Sequence, residues 1–352
     1  MSQYWSEIVH KLTPYIPGEQ PKLNKLVKLN TNENPYGPSP RVLAAIQQAT
    51  SNDLRKYPDP NASAVKATIA QHHGVQPDWV FVGNSSDEVL AHAFRALLKH
   101  AKPLLFPDIT YSFYPVYCGL FDIAYQAVPL REDFTLNIDD YDQDNGGIIF
   151  ANPNAPTGIN LGLDAIRELL ERNRYSVVVV DEAYVDFGGQ SAVALVNEFP
   201  NLLIIQTLSK SRGLAGLRVG FAIGDPALIR GMERVKNSFH PYALSALALA
   251  GAKAAFEDDA YFKQTRDKVI RTRTESIKAL ESLGFAVLPS AANFVFATHP
   301  QHGAAEIFQA LRARNIIVRY FDRPRLKDFL RISIGTDQEM AVLIAALTEI
   351  TA

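Results

Sequence analysis

The stretch Val177-Val178-Val179-Val180-Asp181-Glu182-Ala183-Tyr184 places four consecutive β-branched residues directly before two carboxylates and a phenol. An unbroken apolar run of this length, without polar alternation, reads as a strand buried on both faces, as in a parallel sheet. In such sheets the functional groups collect just beyond the C-terminal strand ends, which is where Asp181 stands. A second apolar run, 202–206, leads into Thr207-Leu208-Ser209-Lys210, and Gly216-Leu217-Arg218-Val219-Gly220 follows. A carboxylate, an amine, a hydroxyl and a guanidinium thus cluster at the ends of strand-like runs.

Outward from this centre, helix-like and strand-like segments alternate. Helices are predicted over 62–73, 163–172 and 243–283, the last broken near Asp258-Asp259; strands are predicted over 79–82, 102–107, 123–128, 147–151 and 218–223. Ser85-Ser86-Asp87-Glu88 introduces Val89, Leu90, Ala93, Phe94 and Leu97, one face of a helix behind a capping hydroxyl. The alternation implies an α/β fold, a mostly parallel sheet covered by helices. After Gly284, strands over 285–288, 294–297, 316–319 and 329–334 and helices over 304–314 and 338–348 imply a small α+β domain. The first 40 residues, with Pro14, Pro17, Gly18, Pro21, Pro35, Gly37, Pro38 and Pro40, cannot build a core of their own. The expected division is an arm over 1–30 that packs on the small domain or on a neighbouring subunit, a large domain over 31–255 and a small one over 256–352.

Composition narrows the function classes. The 352 residues suffice for a large core and a second domain. The formal net charge of -2 gives no basic field for nucleic acid or an anionic membrane. One cysteine, Cys118, excludes an intrachain disulfide framework and suits a reducing compartment. Met1-Ser2-Gln3-Tyr4-Trp5 lacks the basic flank and apolar core of a signal peptide, and no apolar run reaches membrane-spanning length. A soluble cytoplasmic protein is expected.

The clustered groups match a ligand with an aldehyde, a ring nitrogen and a phosphate, and pyridoxal 5′-phosphate carries all three. A lysine amine must shed a proton before it attacks an aldehyde; once displaced by an amino substrate, Lys210 is placed to move a proton at the substrate carbon. The alternative is a surface lysine, but Lys210 follows an apolar strand rather than lying on a polar helix face. Asp181 would keep the ring nitrogen protonated, and a carboxylate directly after four valines should have a positive partner. A solubilising strand-end Asp or a metal ligand are its alternatives, the second weakened because no second carboxylate or histidine cluster accompanies it and Glu182 points to the opposite face. Tyr184 reaches for the ring 3′ oxygen or is an ordinary packed tyrosine. Ser209 and Arg218 offer a hydroxyl and a guanidinium fork to the phosphate, and the helix start at Ser86 offers backbone N–H groups. Asp87 sits awkwardly beside a dianion; its side chain is expected to turn away while its N–H is used. Tyr111 is a candidate to stack on the ring. Arg331, between Leu330 and Ile332, either grips a substrate carboxylate or lies on the wet face of an edge strand.

Together these residues resemble the fold-type I, pyridoxal-phosphate-dependent aminotransferases, and among them the histidinol-phosphate aminotransferases. The landmarks are Leu29-Asn30-Thr31-Asn32-Glu33-Asn34-Pro35, Arg55-Lys56-Tyr57-Pro58, Gly83-Asn84-Ser85-Ser86-Asp87-Glu88, Asn152-Pro153-Asn154-Ala155-Pro156-Thr157-Gly158, Asp181-Glu182-Ala183-Tyr184, the Lys210 segment and the Arg331 strand, in family order over nearly the whole chain. The resemblance implies a mostly parallel central sheet with helices on both faces plus a small α+β domain. It also implies a homodimer with active sites at the subunit interface, exchanging an amino group between L-histidinol phosphate and 2-oxoglutarate, with L-glutamate as the other amino partner, in histidine biosynthesis. It assigns the covalent cofactor link to Lys210, the pyridine nitrogen to Asp181 and the 3′ oxygen to Tyr184. The phosphate falls to Ser209, Arg218 and the N–H groups around Ser85, Ser86 and Asp87, with Tyr57 arriving from the partner subunit. Tyr111 matches the stacking position and Arg331 the carboxylate clamp; Tyr15, Asn34 and Arg319 fall where substrate contacts are expected.

One position departs from the pattern. The family turn is commonly Asn-Pro-Thr-Gly, whose asparagine bonds the 3′ oxygen; this chain has Ala155 there. Either Asn154 takes over, or Tyr184 and water share the task. Within the same fold, an aromatic amino acid aminotransferase and a threonine-phosphate decarboxylase are the rival activities. A catalytically dead binding homologue is disfavoured because it would need neither Lys210 nor Asp181. A nicotinamide enzyme is disfavoured because no Gly-x-Gly-x-x-Gly follows an early strand.

Overall fold

The computed structural model describes residues 2–21 and 25–352; Met1 and 22–24, part of the expected arm, lie outside them. The valine run is buried on both sides. Val178 and Val180 pack with Phe150, Ile204 and Phe221 on one face, and Val179 packs with Ile149, Leu203 and Ala222 on the other. Side chains alternate across a strand, so only a strand between two cores requires apolar residues at every position.

That strand, Val178–Asp181, is the centre of a seven-stranded sheet in the order Val80–Asn84, Val219–Gly224, Leu202–Thr207, Val178–Asp181, Gly147–Ala151, Leu104–Pro107, Tyr125–Val128. The strands from Leu202–Thr207 to Tyr125–Val128 are mutually parallel, and Val219–Gly224 runs antiparallel to both its neighbours. Residues of helices Ser63–His73, Leu163–Arg172 and Ala246–Glu257 close one face; those of Ser85–Leu97, Tyr114–Phe121 and Pro226–Asn237 close the other. The register pairs Ala151 with Asp181 and Asp181 with Ile205, which brings the C-terminal ends of the parallel strands level.

A four-stranded antiparallel sheet, in the order Arg319–Tyr320, Leu330–Ser333, Phe294–Thr298, Ala286–Val287, forms the second layer system. Its core holds Val269, Ile332, Leu343 and also Leu29 and Phe187 from earlier in the chain. The strand expected over 316–319 is two: Ile316–Ile317 pairs in parallel with Val27–Lys28, and Arg319–Tyr320 joins the antiparallel sheet. Buried Val318 marks the change of sheet. The expected break near Asp258 separates helices Ala246–Glu257 and Asp259–Ser282. Among the described residues, no helix is long and apolar enough to cross a membrane.

Candidate active site

The level strand ends open into a cavity of about 130 Å³ whose lining includes Ser86, Asp87, Tyr111, Ala155, Asp181, Tyr184, Ser209, Lys210 and Arg218. Residues from six separated stretches of the chain thus meet at the place the sheet topology designates. Lys210 and Asp181 share this one cavity. The Lys210 Nζ donates to the Thr31 carbonyl at 3.2 Å and lies 5.8 Å from the Tyr184 ring centroid.

Asp181 is 5 % exposed, and its partners correct the expectation of a cation. Its Oδ2 accepts from the Tyr114 hydroxyl at 2.9 Å and its Oδ1 from the Ala183 N–H at 3.3 Å. Burial raises its pKa to about 6, against the opposing pull of these two donors. Burial and the adjacent carboxylate push the Tyr114 hydroxyl well above its ordinary range, so it remains a neutral donor. Tyr114 carries no motif in the sequence; only the fold brings it to Asp181. Glu182 does point the other way, accepting from Ser191 Oγ, Ala192 N–H and Gln206 Nε2 at 2.6–2.8 Å.

The expected phosphate nest lies where helix Ser85–Leu97 begins. Ser85 and Arg218 both take left-handed backbones, φ 70° and 56°, and the Ser85 N–H bonds the Arg218 carbonyl at 3.0 Å. Gly220 packs flush under this turn: a Cβ there would stand 2.2 Å from the Ser86 nitrogen. Asp87 is a correction. Its carboxylate turns inward, pairing with Arg218 Nη2 at 2.7 Å and accepting from the Tyr111 hydroxyl at 3.0 Å, while its N–H bonds Ser85 Oγ at 3.2 Å. The guanidinium supplies the attraction that draws this carboxylate inward, and the carboxylate in turn aims the fork. Ser209, 6 % exposed, completes the nest with its N–H tied to Thr207 Oγ1.

Tyr184 packs edge-on to Phe294, and its hydroxyl accepts from Asn32 Nδ2 at 3.0 Å. Asn32 is a contact that sequence reasoning missed. Asn154 does not fill in for Ala155. Its Nδ2 donates to the Ile109 carbonyl and Thr157 Oγ1, and it lines a separate cleft with Leu130 and Ile159, whereas Ala155 faces Lys210's cavity. The cause is local: Asn154 also closes the turn through its backbone, to Ile159 and Gly158. Asn34 is likewise committed, its Nδ2 to the carbonyls of Lys210 and Ser211 and its Oδ1 to the Tyr36 N–H. It braces the lysine segment rather than offering a group to a substrate.

Arg331 donates from Nη2 to the Asn30 carbonyl at 2.9 Å, and its guanidinium sits 5.4 Å over Phe294 and 5.6 Å over Phe321. Its buried Nε has no hydrogen-bond partner, a donor set in an apolar wall without an acceptor. Desolvation lowers its pKa from the ordinary value. Arg319 is its cross-strand neighbour and also stacks on Phe321, but it lines a different cleft with Glu19 and Arg312. Tyr15 leans on Phe113 with ring centroids 5.0 Å apart and partly opposes the lowering of the Arg331 pKa. Tyr57 is 81 % exposed, packs at a tilt against Tyr242 and is not among the lining residues.

The donor set fits pyridoxal 5′-phosphate. An amine and a buried carboxylate face one cavity, a phenol flanks it, and a glycine-floored turn with a guanidinium stands at its rim. Among the described residues, no group of three or more His, Cys, Asp or Glu could hold a metal ion.

Comparison with known proteins gives the chain a family. Residues 24–347 match the family model described as aminotransferase class I and II. The chain is 61 % identical over 352 residues, 100 % of its length and 99 % of the relative's, to histidinol-phosphate aminotransferase 1 of Methylococcus capsulatus. It is 60 % identical over 347 residues, 99 % of each chain, to histidinol-phosphate aminotransferase 1 of Pseudomonas aeruginosa. The crystal structure of histidinol-phosphate aminotransferase from Sinorhizobium meliloti in complex with pyridoxal-5′-phosphate superposes with a TM-score of 0.89 at 25 % identity, covering 100 % of this chain and 98 % of that one. This chain belongs to the class I and II aminotransferases, in the histidinol-phosphate aminotransferase family.

Proposed function

We propose that the protein is a pyridoxal 5′-phosphate-dependent histidinol-phosphate aminotransferase, moving an amino group between L-histidinol phosphate and 2-oxoglutarate in L-histidine biosynthesis. The observation that carries this reading is the convergence of Lys210, Asp181 and the Arg218 turn on one cavity, beside the close relatives of the same activity. The cofactor, when bound, supplies an electron sink for charge developing at the substrate carbon.

This chain's residues do the rest. Lys210 holds the cofactor covalently and then moves the proton at the substrate carbon. Asp181, hydrogen-bonded by Tyr114 and Ala183, keeps the ring nitrogen protonated. Ser209, Arg218 and the backbone around Ser85, Ser86 and Asp87 would hold the cofactor phosphate, Tyr111 would lie against the ring, and Tyr184 would donate to its 3′ oxygen. Arg331, with an unpartnered Nε, grips the α-carboxylate of L-glutamate and the anionic end of the phosphorylated substrate; Tyr15 and Arg319 border its approach.

The working form is a cytoplasmic homodimer in which Tyr57, exposed here, reaches the phosphate in the partner's site. The units are an arm over 1–30, a large domain over 31–255 and a small domain over 256–352. The test is the visible spectrum of the cofactor-loaded protein titrated with L-histidinol phosphate and then with L-glutamate. Loss of the visible band with both is expected. Release of carbon dioxide, or turnover of aromatic amino acids alone, would replace this reading with one of the rival activities.

A further inference from the structure

Ala155 leaves the cavity without a side-chain amide, and Asn154 is spent elsewhere. A different asparagine touches Tyr184. Asn32 is 1 % exposed, holds a left-handed backbone with φ 56°, and donates from Nδ2 to the Tyr184 hydroxyl oxygen at 3.0 Å. Its amide has one permissible orientation. Ser333 Oγ accepts from the Asn32 N–H at 2.9 Å and so must send its own hydrogen to an acceptor, which is Asn32 Oδ1 at 2.8 Å. Nδ2 is therefore the atom left facing Tyr184. Asn293 Nδ2 clamps the Asn32 carbonyl at 3.0 Å, closing the bracket from the small sheet.

A phenol has one hydrogen to give. With Asn32 donating to its oxygen, Tyr184 cannot direct that hydrogen back to Asn32. We propose that Asn32, latched by Ser333, is a positioning residue that compels the Tyr184 hydroxyl to donate into the cavity and thereby takes over the task of the amide missing at Ala155. The inference rests on the cofactor reading above, with Tyr184 against the ring 3′ oxygen.

The charges facing Tyr184 and the cavity are Lys210, Arg331, Asp181, and Asp87 with Arg218; the Lys210 charge also reaches Glu33. All are retained in the variants, so differences among them isolate the hydrogen bond. The measurement is the pH midpoint at which the visible band of the cofactor-loaded protein switches, in the wild type, Asn32→Gly, Tyr184→Phe and the double variant. Glycine adopts the left-handed backbone freely. A donor to a negative oxygen favours the less protonated form, so Asn32→Gly should raise the midpoint by about one pH unit. The double variant should match Tyr184→Phe alone. An unchanged midpoint in Asn32→Gly, or the same rise persisting on the Tyr184→Phe background, overturns the proposal. If Asn32→Gly does not fold, Ser333→Ala frees the latch while keeping the amide; a smaller rise supports the proposal and no rise overturns it. A wild type that develops no visible band with pyridoxal 5′-phosphate overturns the cofactor reading itself.

Discussion

The Tyr114 hydroxyl donates to Asp181 Oδ2 at 2.9 Å, so the carboxylate at the base of the site is held by a neutral donor and not by a cation. This arrangement leaves the carboxylate's charge without a cation beside it, and the pH dependence of the cofactor-free protein should reveal it. The folded-state pKa of Asp181 is raised to about 6, so between the ordinary carboxylate range and pH 6 the folded protein binds more protons than the unfolded chain. The stability this group confers is present at low pH and lost as pH rises through about 6.

Asp181→Asn cannot undergo that loss. Melting curves of the cofactor-free proteins at pH 5 and pH 8 should show the wild type losing on the order of 1–1.5 kcal/mol relative to the variant. Parallel curves would mean that the carboxylate has no such shift.

Lys210→Ala removes the amine that faces the cavity. The variant should bind pyridoxal 5′-phosphate without becoming labelled by borohydride, and its transfer rate should fall by roughly 10²–10⁴-fold. Mass spectrometry of the reduced protein checks the first point; a cofactor label on another lysine would refute the assignment.

Gly220→Ala sets a Cβ against backbone, 2.2 Å from the Ser86 nitrogen. Backbone at the start of a helix cannot swing aside as a side chain can. A loss of about 1–3 kcal/mol is expected, together with weaker cofactor affinity, in thermal melts and binding titrations. Gly216→Ala is the internal comparison, because nothing lies within 4 Å of its would-be Cβ.

Arg331→Lys keeps a positive charge but loses the planar fork and the Nε donor. KM for L-glutamate should rise roughly 10-fold or more, with a smaller effect on the visible spectrum, because Arg331 is not among the residues lining the Lys210 cavity. An unchanged KM would assign the carboxylate to another group.

Which parts of the site were legible in the sequence follows from where each residue lies. Lys210, Asp181 and Arg218 stand at the ends of apolar runs, and a strand end in a parallel sheet is a place with functional meaning before any coordinates are known. Tyr114 and Asn32 have no such address. Their contacts span 67 and 152 residues of chain, and a phenol at a helix start or an amide in a loop looks like many others. Asp87 was misjudged because its like-charged neighbour was considered without Arg218, which the adjacent antiparallel strand delivers to it. Helix Pro226–Asn237 is capped by Asp225, which accepts from the Ala227 N–H at 2.7 Å with Pro226 at the first position. That Asp-Pro start is a helix signal that reads equally well as a turn.

Three consecutive residues near the beginning of the chain each hold a different working group: the Asn30 carbonyl the clamp arginine, the Thr31 carbonyl the lysine amine, the Asn32 amide the phenol. A tripeptide that grasps all three is a common mount, and a displacement of an ångström along it would re-aim all of them in concert. Deleting or loosening the leading segment should therefore damage binding, covalent capture and proton placement together, a single failure with three symptoms.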